Sequence, residues 1–258
     1  MLSIETAHIR ISGAAGVNGS VGPNGANGAA GTPGTSGQGR YKTRNTSKGA
    51  IQVLDTCVCS SAGNPGTPGT NGSAGSHGYP GQAAPNFTIQ FSEIKGNLII
   101  VSQGGDGGAG GIGGAGGAGG AGGDAGQNKS LDCLTTPGCC ANLALGGDGA
   151  NGGSGGRGGD GAASGDGGNI TIYYEGQQPT SIQTLTIGGR GGSGGNGGAP
   201  GQGGVGGKNE KLSLDDPDVL AASGAAGGTG APGDSGDAGR GGTVTSSQFN
   251  PSRSTALS

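Results

Sequence analysis

Tryptophan is absent from this chain of 258 residues, and aromatic residues of all kinds make up 3% of it. So small a stock of large side chains excludes an ordinary hydrophobic core, because a chain of this length normally orders itself by burying such groups. Charge is also scarce: 11% of residues are charged, and the formal net charge is -3. That balance gives no basis for a nucleic-acid partner or an anionic membrane surface, and it is too weak for the self-repulsion that keeps many chains disordered. No stretch approaches the roughly 20 apolar residues of a membrane-spanning helix. The opening residues Met1 to Arg10 lack the basic-then-apolar order of a signal peptide. No membrane insertion is expected.

What the chain has instead is glycine, 71 residues of it. Glycine buries no side chain, and fixing it costs roughly 1–2 kcal/mol of backbone entropy or more, so ordering must come from backbone contacts. All glycines except Gly49, Gly96, Gly138 and Gly176 fall in six runs, 13–39, 63–81, 104–126, 146–168, 188–207 and 224–242, with a period of three. The connectors alternate in kind. Segments 86–102 and 169–187 alternate β-branched and aromatic residues with polar ones and read as hairpins, with turns near Gly96 and Gly176. Segments 40–62, 127–145 and 208–223 lack that alternation and read as loops, the last with a short helix capped by Asp216 and opened by Pro217. If each run crosses the molecule once, the hairpins share one end with strands at 2–12 and 243–247, and the three loops share the other. The single domain then reads as three copies of strand, run, loop, run, strand.

A period of three with glycine fits a left-handed extended helix of about 3.1 Å rise, which has no internal hydrogen bonds. Collagen needs far more imino acid than the 12 prolines here. The fold expected is a polyglycine II helix bundle: six antiparallel left-handed helices, about 60–80 Å long, closed at one end by a small β cap of hairpins and terminal strands. Gly-X-Y triplets leave one bare backbone face and Gly-Gly-X triplets two, so runs 3, 4 and 5 belong at enclosed positions and runs 1, 2 and 6 at the periphery. In triplets such as Gly113-Gly114-Ala115-Gly116-Gly117-Ala118 the chain resembles polyglycine II sandwich proteins. These are the receptor-binding adhesins at the tips of some T-even-type phage long tail fibres and, more distantly, springtail antifreeze proteins.

Five cysteines, Cys57, Cys59, Cys133, Cys139 and Cys140, lie in two loops of one end. Disulfides between those loops, a zinc site and indifferent reduced thiols are the three readings; the spacing is not the usual Cys-x2-Cys, and no metal or cofactor is expected. G-x-G-x-x-G recurs by composition alone. Asp106, Asp148, Asp160 and Asp166 form no calcium nonapeptide register and read as solvated ridge residues. Neither His8 nor His77 has a nucleophile or carboxylate pair beside it, and Asn45, Asn86, Asn128 and Asn169 head sequons without a secretion signal. No enzyme is expected.

The loop end also carries charge contrast, with Arg40, Lys42, Arg44 and Lys48 in one loop and Glu210, Asp215, Asp216 and Asp218 in another. Arg40, Tyr41, Lys42, Arg44, Asp215, Asp216 and Asp218 are the candidate receptor-binding set, with solubility and a rim ion pair as the bland alternative. Phe87, Phe91, Tyr173 and Tyr174 are candidate cap or assembly residues at the β end. The leading expectation is a surface-recognition module, an adhesin or receptor-binding protein of the cell exterior or a virion, presenting loops to a receptor or glycan as a monomeric bundle. A passive spacer of a virion, tail fibre, surface layer or appendage is the alternative. Ice binding, from the small residues along run 1, is the third.

Overall fold

The computed structural model describes residues 6–93, 96–140, 142–178, 181–213 and 215–249. The expected β segment at 2–12 therefore lies partly outside them, as do Lys95 and Pro179. The strands are β1 (Thr6–Ser12), β2 (Gln38–Thr46), β3 (Gly49–Val58), β4 (Phe87–Phe91), β5 (Asn97–Gln103), β6 (Ile170–Tyr174), β7 (Ile182–Ile187) and β8 (Val244–Gln248). One short helix, α1, spans Leu131–Thr135.

The glycine runs between these elements are neither helix nor strand, and they bond to one another every third residue. Gly16, Gly19 and Gly22 of run 1 donate to Asp106, Ala109 and Ile112 of run 3, in parallel, at 2.7–2.8 Å. Run 3 donates in the same way to run 5, run 2 to run 4, and run 4 to run 6. Runs 1, 3 and 5 thus make one layer and runs 2, 4 and 6 the other. The layers are antiparallel and joined by a second set of bonds, such as Gly108 N–H to Tyr79 O and Gly153 N–H to Gly117 O.

Written as triplets beginning at 13, 63, 104, 146, 188 and 223, the glycines follow one rule. A Cβ at position one would run into the backbone of the next run in sequence: Gly66 into Gly120, Gly149 into Gly204. At position two it would run into the run two earlier: Gly114 into Pro23, Gly227 into Gly153. Runs 1 and 2 have no run two earlier, so their second positions hold side chains. Run 6 has no following run, so Ser223, Ala226, Thr229 and Pro232 occupy its first position. Within the runs side chains break this rule only at Ala125, Ala150, Ala162, Ser164 and Pro200, and Gly39, Gly228 and Gly241 are glycines that it does not require. The division of enclosed from peripheral runs expected from sequence needs correction here. Runs 3 and 4 have four neighbours each, runs 2 and 5 three, runs 1 and 6 two. A bare row marks where Cβ atoms point rather than how many neighbours a run has, because neighbours also meet along rows of N–H and C=O.

Among the described residues positive φ occurs only at Gly49, Gly96, Gly138 and Gly176, the four glycines outside the runs. Run glycines therefore serve close approach, not an unusual backbone turn.

At one end the layers continue as two three-stranded sheets, β1-β5-β7 and β4-β6-β8, parallel throughout. The expected hairpins are absent. β4 and β5 lie in different sheets, as do β6 and β7, and each connection arches between layers. A hairpin would require runs 2 and 3 to be neighbours in one layer, whereas they face each other across the two. Leu98, Ile100, Ile170 and Ile172 are buried between the sheets, with Ile9, Ile11, Phe87, Ile89, Phe91 and Ile182 packed around them. This cluster is the only apolar core among the described residues.

Candidate functional site

The opposite end collects the three connectors, and the first is not a loop. β2 and β3 pair antiparallel from Gln38↔Val58 to Thr46↔Gly49, with a bulge between Arg40 and Tyr41. The turn closes at Gly49, whose φ is 120, and Thr46 Oγ1 donates to Gly49 O at 2.7 Å. Sequence alternation failed to show this hairpin because neither face is buried against a core. No residue of either strand is buried, so no period-two apolar pattern is required.

Directly opposed residues share a face, which puts Lys42 and Val53, and Arg44 and Ile51, on one side of the hairpin. Tyr41 and Leu54 are on the other. That second face leans on α1: Tyr41 donates to Asp132 Oδ2 at 2.9 Å, and Gly39 N–H donates to Ser130 Oγ at 3.2 Å. A Cβ at Gly39 would lie 2.9 Å from Leu54 Cδ1 and 3.1 Å from Cys133 Sγ, so those side chains close over it.

Two fastenings hold the connectors together. A disulfide joins Cys59 to Cys140 with Cα atoms 5.5 Å apart, closing 81 residues of chain. The other fastening was missed from sequence. Glu210 is 3% exposed, and it accepts from Ser60 Oγ at 2.6 Å, Ala144 N–H at 2.7 Å, and Asn128 N–H and Nδ2 at 2.9 and 2.8 Å. One carboxylate thereby ties all three connectors. Burial alone would push it up, but the donors outweigh burial and hold Glu210 below the usual carboxylate range. A lone Glu in a polar connector carries no sequence signal for that role.

The candidate receptor set divides. Lys42 pairs with Asp55 at 2.7 Å within the hairpin, while Arg40, Arg44 and Lys48 make no ion pair among the described residues. Asp218 pairs with Lys208 at 2.8 Å and Lys211 at 2.5 Å, which hold it at about 2. Asp216 Oδ2 accepts from Ser213 N–H at 2.9 Å. The expected helix over 216–222 does not form; that turn uses Asp216 locally, and Leu220 bridges antiparallel to Lys208. These ion pairs stay within a connector, and none joins Arg40–Arg44 to Asp215–Asp218 among the described residues.

The ridge carboxylates are corrected as well. Asp106, Asp148, Asp160 and Asp166 accept the N–H of Arg190, Ala222, Asp234 and Arg240 at 2.7–3.1 Å. At many third positions an outward N–H has no backbone partner among the described residues, and a polar side chain of the run before it in the same layer accepts from that group; Pro33, Pro65, Pro68 and Pro80 hold third positions that have no N–H. Asn18, Asn24 and Asn27 do so for run 3, and Asn86 and Asn169 likewise accept backbone N–H groups. His77 accepts the Asp160 N–H at 3.2 Å.

At the β end Phe87 and Phe91 support the core, and Tyr173 is 38% exposed. Tyr174 lines a shallow groove with Ile172, Ile182 and Val244. No cluster of metal-ligating side chains occurs among the described residues, and none of their helices is long and apolar enough to cross a membrane.

No family model and no curated protein matches the chain. Among solved structures it is similar to a springtail antifreeze protein from Granisotoma rainieri, described as a nine polyproline type II helical bundle. Identity is 26%, coverage is 63% of this chain and 94% of that chain, and the TM-score is 0.13. At that TM-score the likeness is weak and carries no argument.

Proposed function

We propose that the chain is a non-enzymatic recognition module, a polyglycine II sandwich that presents the β2–β3 hairpin to an acidic glycan on a cell surface. The observation that carries this reading is the hairpin itself: with no buried residue, fastened at its base, and bearing Arg40, Lys42, Arg44 and Lys48 against one carboxylate, Asp55, on a chain of net charge -3. Binding residues concentrate on segments held out by a rigid scaffold, and concentrated positive charge on an acidic protein selects anionic ligands. Ile51 and Val53 between Lys42 and Arg44 add apolar contact for a sugar ring face. Asp215, Asp216 and Asp218 are left out of this surface, since Asp216 and Asp218 are engaged within their own connector. This reading agrees with the resemblance to phage-fibre adhesins and with an extracellular or virion setting.

Binding to immobilised acidic and neutral polysaccharides tests it. The wild type should bind the acidic ones with an affinity that falls as salt rises, and the combined Arg40→Ser, Arg44→Ser and Lys48→Ser variant should lose at least about tenfold. Unchanged binding by that variant would overturn the assignment. A passive spacer would bind neither polymer.

A further inference from the structure

The Cys59–Cys140 bridge leaves Cys57, Cys133 and Cys139 as thiols, and all three meet at the base of the hairpin. Cys57 lies opposite Gly39 in the hairpin, where a Cβ would come within 3.1 Å of Cys133 Sγ, and Cys139 adjoins Cys140 of the bridge. We propose that Cys57 and Cys139 are a second disulfide pair, closing beside the first and leaving Cys133 as the single thiol of the chain.

The chain geometry favours this pair over the others. Cys57 and Cys59 are two residues apart in extended chain, so their side chains leave the same side of it. Cys59 already reaches Cys140, whose sequence neighbour is Cys139. Two rungs then run side by side, 57 to 139 and 59 to 140. Access separates Cys139 from Cys133. Cys57 and Cys139 are half-buried and can be reached by a small oxidant, whereas Cys133 is 0% exposed beneath Gly39. Its backbone is also held, with Cys133 O accepting from Cys140 N–H at 3.0 Å.

The exchange balances with a low-molecular-weight disulfide as oxidant. The Cys57 or Cys139 thiolate attacks that disulfide, releasing one small thiol and forming a mixed disulfide. The second protein thiolate displaces the other small thiol, so two protein thiols are oxidised and one small disulfide is reduced to two thiols. Burial and the hydrogen bond to Cys133 push the Cys57 thiol up, and the hydrogen bond to Cys57 and burial push Cys139 up. Both are therefore protonated near neutrality, and closure accelerates as pH rises. Once closed, the second rung ties the end of β3 to the α1 connector and fixes the hairpin against the bundle.

Thiols counted by alkylation in denaturant and mass spectrometry, before and after incubation with oxidised glutathione, test the pairing. Wild type should fall from three thiols to one, or show one as isolated. Cys133→Ser should fall from two to none, and Cys139→Ser should keep both. Three thiols retained by wild type, or glutathione adducts that do not resolve, would overturn the proposal. Loss of both thiols in Cys139→Ser would also overturn it, because Cys57 would then have paired with Cys133. If a variant does not fold, peptide mapping of alkylated wild type locates the remaining thiol, and a thiol at Cys139 rather than Cys133 would overturn the proposal.

Discussion

A single methyl group distinguishes the rows of this molecule. Gly117 sits at position two of run 3, where a Cβ would overlap the Ala26 backbone, whereas a Cβ on Gly228 would meet only Ser154 Oγ at 3.6 Å. Neither has positive φ. Gly117→Ala should therefore destabilise by about 1–3 kcal/mol or more through overpacking. Gly228→Ala should be neutral or stabilising by about 0.4–1 kcal/mol, because alanine has less unfolded-state freedom to lose. Thermal unfolding of the two variants side by side checks this. Such rows were legible in the sequence because a bare face demands glycine at a fixed register. The caps were not: an Asp at position three looks the same whether it is solvated or, like Asp166, accepts the Arg240 N–H at 2.7 Å.

Glu210 makes the pH dependence at the same scale. Its carboxyl is held below the ordinary value in the folded chain, so its contribution is fully present above the unfolded glutamate pKa of about 4.3 and is lost as pH falls through the folded value. Glu210→Gln should cost about 1.5–3 kcal/mol near neutrality and flatten the loss of stability below about pH 4.3. Thermal unfolding followed across that range measures both. An acid limb as steep as that of wild type would remove Glu210 as its source.

Among the elements, the strands at the β end do the apolar work. Ile170 is 0% exposed between the sheets, while Ile112, on the outer row of run 3, is 48% exposed. Ile170→Ala should cost about 2–5 kcal/mol and Ile112→Ala under about 1 kcal/mol, read from denaturant midpoints. Alternation in Ile170–Tyr174 and Ile182–Ile187 revealed these strands, but not their partners. Nearness in sequence favours an antiparallel hairpin. The registers instead run parallel, Leu98↔Ile182 and Phe87↔Ile170, because each strand inherits the layer of the run it extends. At the other end the reverse occurred. Arg40, Lys42 and Arg44 stood out as charge, but their β2 strand did not, since a ribbon buried on neither face is held by cross-strand pairing and fastened at its base rather than by an apolar face.

Across the whole molecule, three U-shaped units lie side by side, each a strand, a run, a connector, a run and a strand. At both ends of the series of runs, side chains replace glycine in one row. Val17 and Pro23 occupy the row through which run 1 would meet an earlier neighbour, and Thr229 and Pro232 occupy the row through which run 6 would meet a later one. Run 5 keeps an open edge. Its position-two amides, Gly192, Gly195 and Gly198, donate to run 4 at 2.8 Å, while Gly191, Gly194 and Gly197 have no backbone partner among the described residues. The central claim is that backbone bonds between glycine runs, rather than a side-chain core, make the rigid scaffold that carries the hairpin. Residue-resolved amide hydrogen exchange by NMR tests it most directly. The account predicts slow exchange at Gly192, Gly195 and Gly198 alternating with fast exchange at Gly191, Gly194 and Gly197; exchange at all six as fast as in an unstructured chain would contradict it.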